Sequence, residues 1–447
     1  MAYPAQIDII GTATDSELQP YGAPVVVNGT NIYKILAGSD SLGADRNINA
    51  YKSTDDGNNW TLPTTTNRPT PTGSGDWQPV YQDIEGTKIW VVYLPNGSPP
   101  TESRLQHYDM AVDTWGSPIT GGPMPWGVSS AVVGTITYTI DPDISNNRSQ
   151  LGLNVRSNGD KVVIYNAVST AGLSLQQDLY YKIYNGTSWS SANALMLSGT
   201  TDQEVNSFGY VGSVTGTNDM VHVFAWTQFG YVYASITTNI TTPVRNYRRF
   251  DNDALDFVGL KDGVAAGYPK IVHMCDKRFA ALPHPILTTV LRDTGTAVTN
   301  WFRPALLMIP DVTTPEYTRY EYVEDQIEFD SYDWVPVAVA CDTSAKSTYL
   351  VWGKLAAPTS SFATQIRMSC SKGVAWSDPQ TLVTTTNPDL VETIEISVDG
   401  GKMRSLFENS AGAGVYTWAN YYQFSVSCDD EGCGADSGGS QNYAFIG

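Results

Sequence analysis

Residues 317–334 read Tyr-Thr-Arg-Tyr-Glu-Tyr-Val-Glu-Asp-Gln-Ile-Glu-Phe-Asp-Ser-Tyr-Asp-Trp, the densest gathering of chemically capable side chains in the sequence. Paired carboxylates such as Glu324 and Asp325 are the residue types that glycoside cleavage uses as acid and base. Rings beside carboxylates equally suit sugar binding, because rings stack on sugar faces while carboxylates accept hydroxyl protons. Tyr320, Tyr322, Tyr332 and Trp334 are the candidate ring platforms. A third reading makes the segment a solvated acidic loop, inserted between repeated units. On the sequence alone all three stay open.

Other polar groups carry weaker signals. Asp141-Pro142-Asp143, with Ser145, Asn146 and Asn147, offers the hard oxygen ligands that calcium takes, as does Asp251-Asn252-Asp253. Neither has the spacing of a calcium loop, and an Asx-rich turn is the plainer reading. His107, His222, His273 and His284 are isolated, and no zinc-like Cys/His spacing appears. No phosphate-cradling glycine loop or Gly-x-Ser-x-Gly elbow is present either. The sequence therefore predicts no metal and no cofactor. Five cysteines do not make a disulfide framework, but Cys428 and Cys433 enclose a loop short enough to pair in an oxidising environment.

The elements that must position these groups repeat. A short apolar run meets a tight turn, and a second run of β-branched and aromatic residues follows. The turns are Asn28-Gly29, Glu85-Gly86, Asn158-Gly159, Thr215-Gly216, Cys275-Asp276, Asp342-Thr343 and Asp399-Gly400. Supersecondary units copied at a near-constant period, with no helical periodicity between them, predict propeller blades. About thirty residues after most turns comes a second one followed by tryptophan, at Trp60, Trp115, Trp189, Trp301 and Trp376, and then one more short strand. The fold class predicted is all-β, a seven-bladed β-propeller of four-stranded blades over residues 1–427. The last unit lacks its fourth strand, so residues 6–10 are expected to supply it and close the ring. Residues 428–447 form a C-terminal tail outside the blade count.

Ser53-x-Asp55-x-Gly57-x-x-Trp60 resembles the Asp-box of sialidases and other BNR-repeat propellers, and Ser369-x-Ser371-x-Gly373-x-x-Trp376 is a second copy with Ser in place of Asp. That resemblance implies a structural turn. The Asp carboxylate accepts turn amides, Gly permits positive φ, and Trp packs between neighbouring blades. It also implies where sialidase chemistry should appear: an arginine triad, a Tyr-Glu nucleophile pair and an Asp acid. No arginine segment of that kind is recognisable among Arg46, Arg104, Arg156, Arg278, Arg292, Arg303 and Arg367. No catalytic residue is assigned.

Charged residues are only 16% of the chain, and the net charge of −19 excludes coating of a phosphate backbone or an anionic membrane. The N-terminal residues lack the charged and apolar regions of an export signal, so none is expected, and no apolar run in the sequence is long enough to span a bilayer. An acidic β toroid rich in Thr, Ser, Gly, Asn and Tyr resembles the structural propellers of tailed-phage virions. This resemblance implies a non-enzymatic tail, fibre or capsid-decoration protein, made in the cytoplasm and working on the virion or at an extracellular surface. Its partners would be other virion proteins, further copies of itself, or host-surface glycans. The alternatives are a BNR-type glycoside hydrolase and a propeller scaffold for protein interactions.

Overall fold

A computed structural model describes residues 7–8, 26–39, 46–70, 81–93, 95, 102–123, 131–133, 136–138, 151–169, 176–196, 209–215, 219–227, 230–236, 248–249, 286–293, 300–308, 319–322, 327–329, 337–342, 344–345, 347–355, 363–371, 377–384, 390–410 and 416–428. Their regular structure is entirely β, in antiparallel sheets that follow one another along the chain.

β1 (Ile7–Asp8) joins the last sheet. The first sheet is β2 (Val26–Asn28), β3 (Asn31–Ser39) and β4 (Arg46–Ser53). The second is β5 (Tyr81–Glu85), β6 (Lys88–Tyr93), β7 (Arg104–Asp109) and β8 (Thr114–Trp115). A separate hairpin, β9 (Ala131–Val133) and β10 (Ile136–Tyr138), precedes the third sheet. The third is β11 (Leu151–Val155), β12 (Lys161–Ser169), β13 (Gln176–Tyr184) and β14 (Asn193–Met196). The fourth is β15 (Gly209–Thr215), β16 (Val221–Thr227), β17 (Gly230–Ile236) and β18 (Arg248–Arg249). The fifth holds β19 (Ile286–Asp293), β20 (Asn300–Met308), β21 (Arg319–Tyr322) and β22 (Ile327–Phe329), the last two both pairing with β20. The sixth is β23 (Val337–Asp342), β24 (Ser347–Leu355), β25 (Ala363–Ser371) and β26 (Gln380–Thr384). The last is β27 (Leu390–Asp399), β28 (Lys402–Ser410) and β29 (Tyr416–Ser425), with β1 beside β29 and Ile7 opposite Tyr421.

Continuous apolar runs form these strands because both faces of a sheet are covered. In β6, Ile89, Val91 and Tyr93 point into a core shared with Tyr33, Ile35, Ile48 and Ala50 of the first sheet. Trp90 and Val92 point the other way, into a core with Leu151, Leu153, Val163 and Tyr165 of the third. The period-2 alternation survives, but both sets are buried, so no polar face interrupts the run. A third core joins Tyr349, Val351 and Met368 of the sixth sheet to Ile396, Met403 and Phe424 of the last. The sheets therefore stack face to face in chain order.

The fifth unit differs from the sequence reading. First strands of neighbouring sheets lie side by side, as β5 with β11, β11 with β15 and β23 with β27, and β19 packs on β23 in the same way. The first strand of this unit is thus residues 286–293, and Asp293-Thr294-Gly295 opens its first hairpin instead of its outer turn. The turn at Cys275-Asp276 and the strand at 279–282 lie outside the described residues. The acidic aromatic segment is also no insert departing from the repeat: β21 and β22 within it supply the next rung of the fifth sheet, Tyr320 opposite Leu307 and Tyr322 opposite Ala305.

Candidate functional site

Antiparallel order gives every sheet two unlike ends. The first-to-second hairpins meet at one end, where connections are as short as residues 29–30, 86–87 and 400–401. The second-to-third connections and the links between sheets leave from the other, and these include residues 62–80, 120–150, 197–208 and 250–285. Long connections on a rigid scaffold are where binding and catalytic groups are usually carried.

At the turn end the described side chains form polar contacts across several of the seams. Between the first and second sheets, Asp113 accepts Lys52 Nζ at 2.6 Å, the Tyr108 hydroxyl at 3.1 Å and the Tyr33 hydroxyl at 3.3 Å. Tyr33 also donates to the Met110 carbonyl at 3.0 Å. A Tyr, Lys and Asp together can move protons, but this arrangement is spent on itself. Burial, with the Asp113 carboxylate opposing deprotonation, pushes the Tyr108 hydroxyl far up, and burial likewise raises Tyr33. Both phenols are held as neutral donors and neither can act as a base. The hydrogen bond that Lys52 donates to Asp113 raises Lys52, keeping it an ammonium.

The next seam has a second such cluster. Glu85 accepts Trp90 Nε1 at 2.6 Å and Lys161 Nζ of the third sheet at 2.8 Å. Lys161 stands 4.3 Å over the Trp90 ring, and His107 packs on that ring at 4.6 Å. Burial lowers His107, and the Lys88 charge adds to the effect, so the ring is neutral. Its Nδ1 is buried without a partner. This histidine fills space beside Gly116, where a Cβ would come within 2.5 Å of its ring.

Carboxylates tie this seam again and others besides. Asp83 accepts the Val155 amide at 2.7 Å, Asp219 accepts the Ser157 amide at 2.9 Å together with the Ser157 hydroxyl, and Asp342 accepts the Gly401 amide at 2.8 Å. Asp56 of the first sheet receives Lys402 at 3.0 Å and Gln423 at 2.9 Å from the last. Sequence reasoning missed these residues. The one local signal was an acid at or beside a tight turn, as with Glu85-Gly86 and Asp342-Thr343.

Ser53, Asp55, Gly57 and Trp60 form a closed turn. The Gly57 amide donates to Ser53 Oγ at 2.8 Å, and Asp55 takes the Asn59 amide at 2.8 Å and its side chain at 2.6 Å. Gly57 sits at φ 89° and Asp56 at φ 60°. Trp60 is half-buried and donates to the Gly57 carbonyl at 3.0 Å, so part of its anchoring lies within its own turn. Both Asp55 carboxylate oxygens are engaged within the loop itself, as a structural turn requires.

Of the other residues singled out in the sequence, Tyr320 and Tyr322 lie in β21, beside the end of β20 from which the second-to-third connection leaves. Glu324, Asp325, Tyr332 and Trp334 lie outside the described residues, as do 141–147 and 251–253. The pairing of Cys428 with Cys433 is corrected: Cys428 is bonded to Cys370 of β25, with the Cα atoms 6.0 Å apart. The reason is packing, since both sulfurs enter the apolar core between the sixth and last sheets. Among the described residues no group of three or more His, Cys, Asp or Glu is placed to hold a metal ion.

No protein family matches the sequence, and no curated protein does. Solved structures do match the fold. A polysaccharide lyase, PL25 ulvan lyase bound to -[GlcA(1-4)Rha3S]-, is 11% identical, with 94% of this chain aligned to 95% of that one at a TM-score of 0.51. The α-L-arabinofuranosidase Arb93A from Fusarium graminearum is 10% identical over 94% and 98% of the two chains, TM-score 0.43. A Trypanosoma rangeli sialidase is 8% identical over 92% of this chain and 55% of its own, TM-score 0.41. The chain thus has an all-β fold of four-stranded antiparallel sheets similar to the propellers of carbohydrate-active enzymes. The expectation of a non-enzymatic phage virion component is corrected on this likeness, which is to the fold of a polysaccharide lyase.

Proposed function

We propose that this chain is a carbohydrate-active propeller of seven blades, closed by β1 against β29, that cleaves glycosidic bonds of a polysaccharide at the end opposite its tight turns. The observation that carries this reading is the end-to-end likeness to a polysaccharide lyase solved with its acidic saccharide. The asymmetry of the connections supports the choice of end. The turn end is filled by carboxylates that bind neighbouring sheets, whereas the long connections gather at the other. The backbone of β21 brings Tyr320 and Tyr322 towards that end, where their rings would stack on sugar.

The experiment is incubation with a panel of neutral and acidic polysaccharides, followed by mass analysis of the products. A hydrolase adds water across each broken bond. A lyase abstracts the proton beside a uronate carboxyl and expels the leaving oxygen, giving a conjugated double bond that absorbs in the ultraviolet. A net charge of −19 repels a polyanion, so cleavage of an acidic substrate should accelerate as salt rises from low ionic strength. Folded protein that shortens no member of a broad panel at any salt concentration would overturn the proposal.

A further inference from the structure

We infer that the seam between the last and first sheets binds an oxyanion, a carboxylate or sulfate group, on the Arg404 guanidinium and the Ser397 hydroxyl. In β28, Met403 points into the core with the sixth sheet, and its neighbours Lys402 and Arg404 point the other way, towards the first. Arg404 is only 6% exposed, yet its Nε and Nη1 have no hydrogen-bond partner. Its remaining nitrogen, Nη2, stands 3.9 Å from Asp56 Oδ1, beyond hydrogen-bond reach.

The residues around this cation bring further donors, and the acceptors they carry leave its Nε and Nη1 unmet. Ser397 lies directly opposite Arg404 in the β27–β28 register, on the same face of the sheet, and its hydroxyl is buried without a partner. Gln423 lies opposite Arg404 on the other side and spends its amide nitrogen on Asp56. Lys402 takes the same Asp56 oxygen, Oδ2. Asp56 therefore spends Oδ2 on two donors and meets the buried guanidinium only through the long ion pair from Oδ1, without a hydrogen bond. Buried charges are ordinarily paired and fully hydrogen-bonded. An oxyanion supplies several acceptors and one or two negative charges at one point, which is what this seam lacks. Asp56 and Lys402 beside it are 45% and 47% exposed in their side chains, so an anion would reach the buried Arg404 and Ser397 groups past these two. A bound anion would join the last sheet to the first.

Thermal unfolding tests this with sodium acetate, sodium sulfate and glucuronate as separate arms, each against sodium chloride at equal ionic strength. We expect a saturable rise in Tm for wild type with at least one arm. That rise should be lost in Arg404→Met and reduced in Ser397→Ala. Acetate or glucuronate acting alone identifies a carboxylate site, and sulfate acting alone a sulfate site. General salt effects on stability act on all variants alike. A rise of equal size in wild type and Arg404→Met, or no rise in any arm, would overturn the inference. Should Arg404→Met not fold, Arg404→Lys is read in its place and should show a weakened, right-shifted response.

Discussion

Asp113 of the second sheet holds Lys52 of the first at 2.6 Å from a backbone at φ 53°, a left-handed conformation that costs an ordinary side chain energy. The same carboxylate gathers Tyr33 and Tyr108, so one turn residue answers three donors from two sheets. The strain is met by the contacts it makes possible. Such acids recur at consecutive seams, and they explain much of the chemistry that looks catalytic at first sight.

Asp113→Asn keeps a residue tolerant of that backbone but removes the charge facing Lys52. It should cost about 1–3 kcal/mol in chemical denaturation. Asp113→Ala should cost roughly 1 kcal/mol more, because alanine cannot offset the left-handed turn. Equal stabilities of wild type and Asp113→Ala would show the seam to be held by its apolar core alone.

Acid should weaken the structure in two stages. His107 is depressed by burial, so its contribution is complete above the unfolded value near 6.5 and shrinks as pH falls through the lower folded value. Burial alone would raise Asp56, Glu85 and Asp342, but hydrogen bonds from Gln423, Lys161 and Ser344 outweigh it and hold all three below the usual range. Their contribution is complete above an unfolded value near 4 and is lost below it. Relief of the net negative charge affects wild type and variants alike, so the informative quantity is a difference. The stability advantage of wild type over His107→Gln should shrink as pH falls from 7 to 5. A constant advantage across that range would mean the histidine titrates normally.

Gly116→Ala should be destabilised by about 1–3 kcal/mol, since the new methyl group would lie 2.5 Å from the His107 ring. Adding His107→Ala to it should return part of that loss. Additive effects of the two substitutions, measured by denaturant midpoints, would rule out the contact.

The Cys370–Cys428 bond ties two sheets across a separation of 58 residues. Cys428→Ala should cost about 2–5 kcal/mol under oxidising conditions, and Cys433→Ala far less. Peptide mapping of the unreduced protein decides directly. A linked pair containing Cys370 and Cys428 supports this arrangement, and one joining Cys428 to Cys433 contradicts it.

Much of the architecture was legible because it is local. Asn28-Gly29 and Glu85-Gly86 mark hairpins through glycines at φ 64° and 58°, and the run from Ile89 to Tyr93 marks a strand buried on both faces. The fifth unit was misread because Asp293-Thr294-Gly295 before a tryptophan looks like the outer turn of other units, and only the packing of β19 on β23 reveals it as the inner one. The disulfide and the acids at the seams were illegible for a related reason. Asp113 meets Lys52, and Cys428 meets Cys370, only once separate sheets have stacked, and no spacing within either segment encodes that meeting. Asp55 shows the opposite case, because its partners lie within four residues.

Cleavage of polysaccharide is the activity proposed for this fold. Its most direct test is the chain-length distribution of candidate polysaccharides, followed by size-exclusion chromatography during incubation with the folded protein. The account predicts a progressive fall in chain length for at least one substrate, unaffected by Asp113→Asn at a temperature where that variant stays folded. It also predicts that the fall is slowed by Tyr320→Ala with Tyr322→Ala. Distributions that stay unchanged for every substrate, with the protein verified as folded, would contradict it.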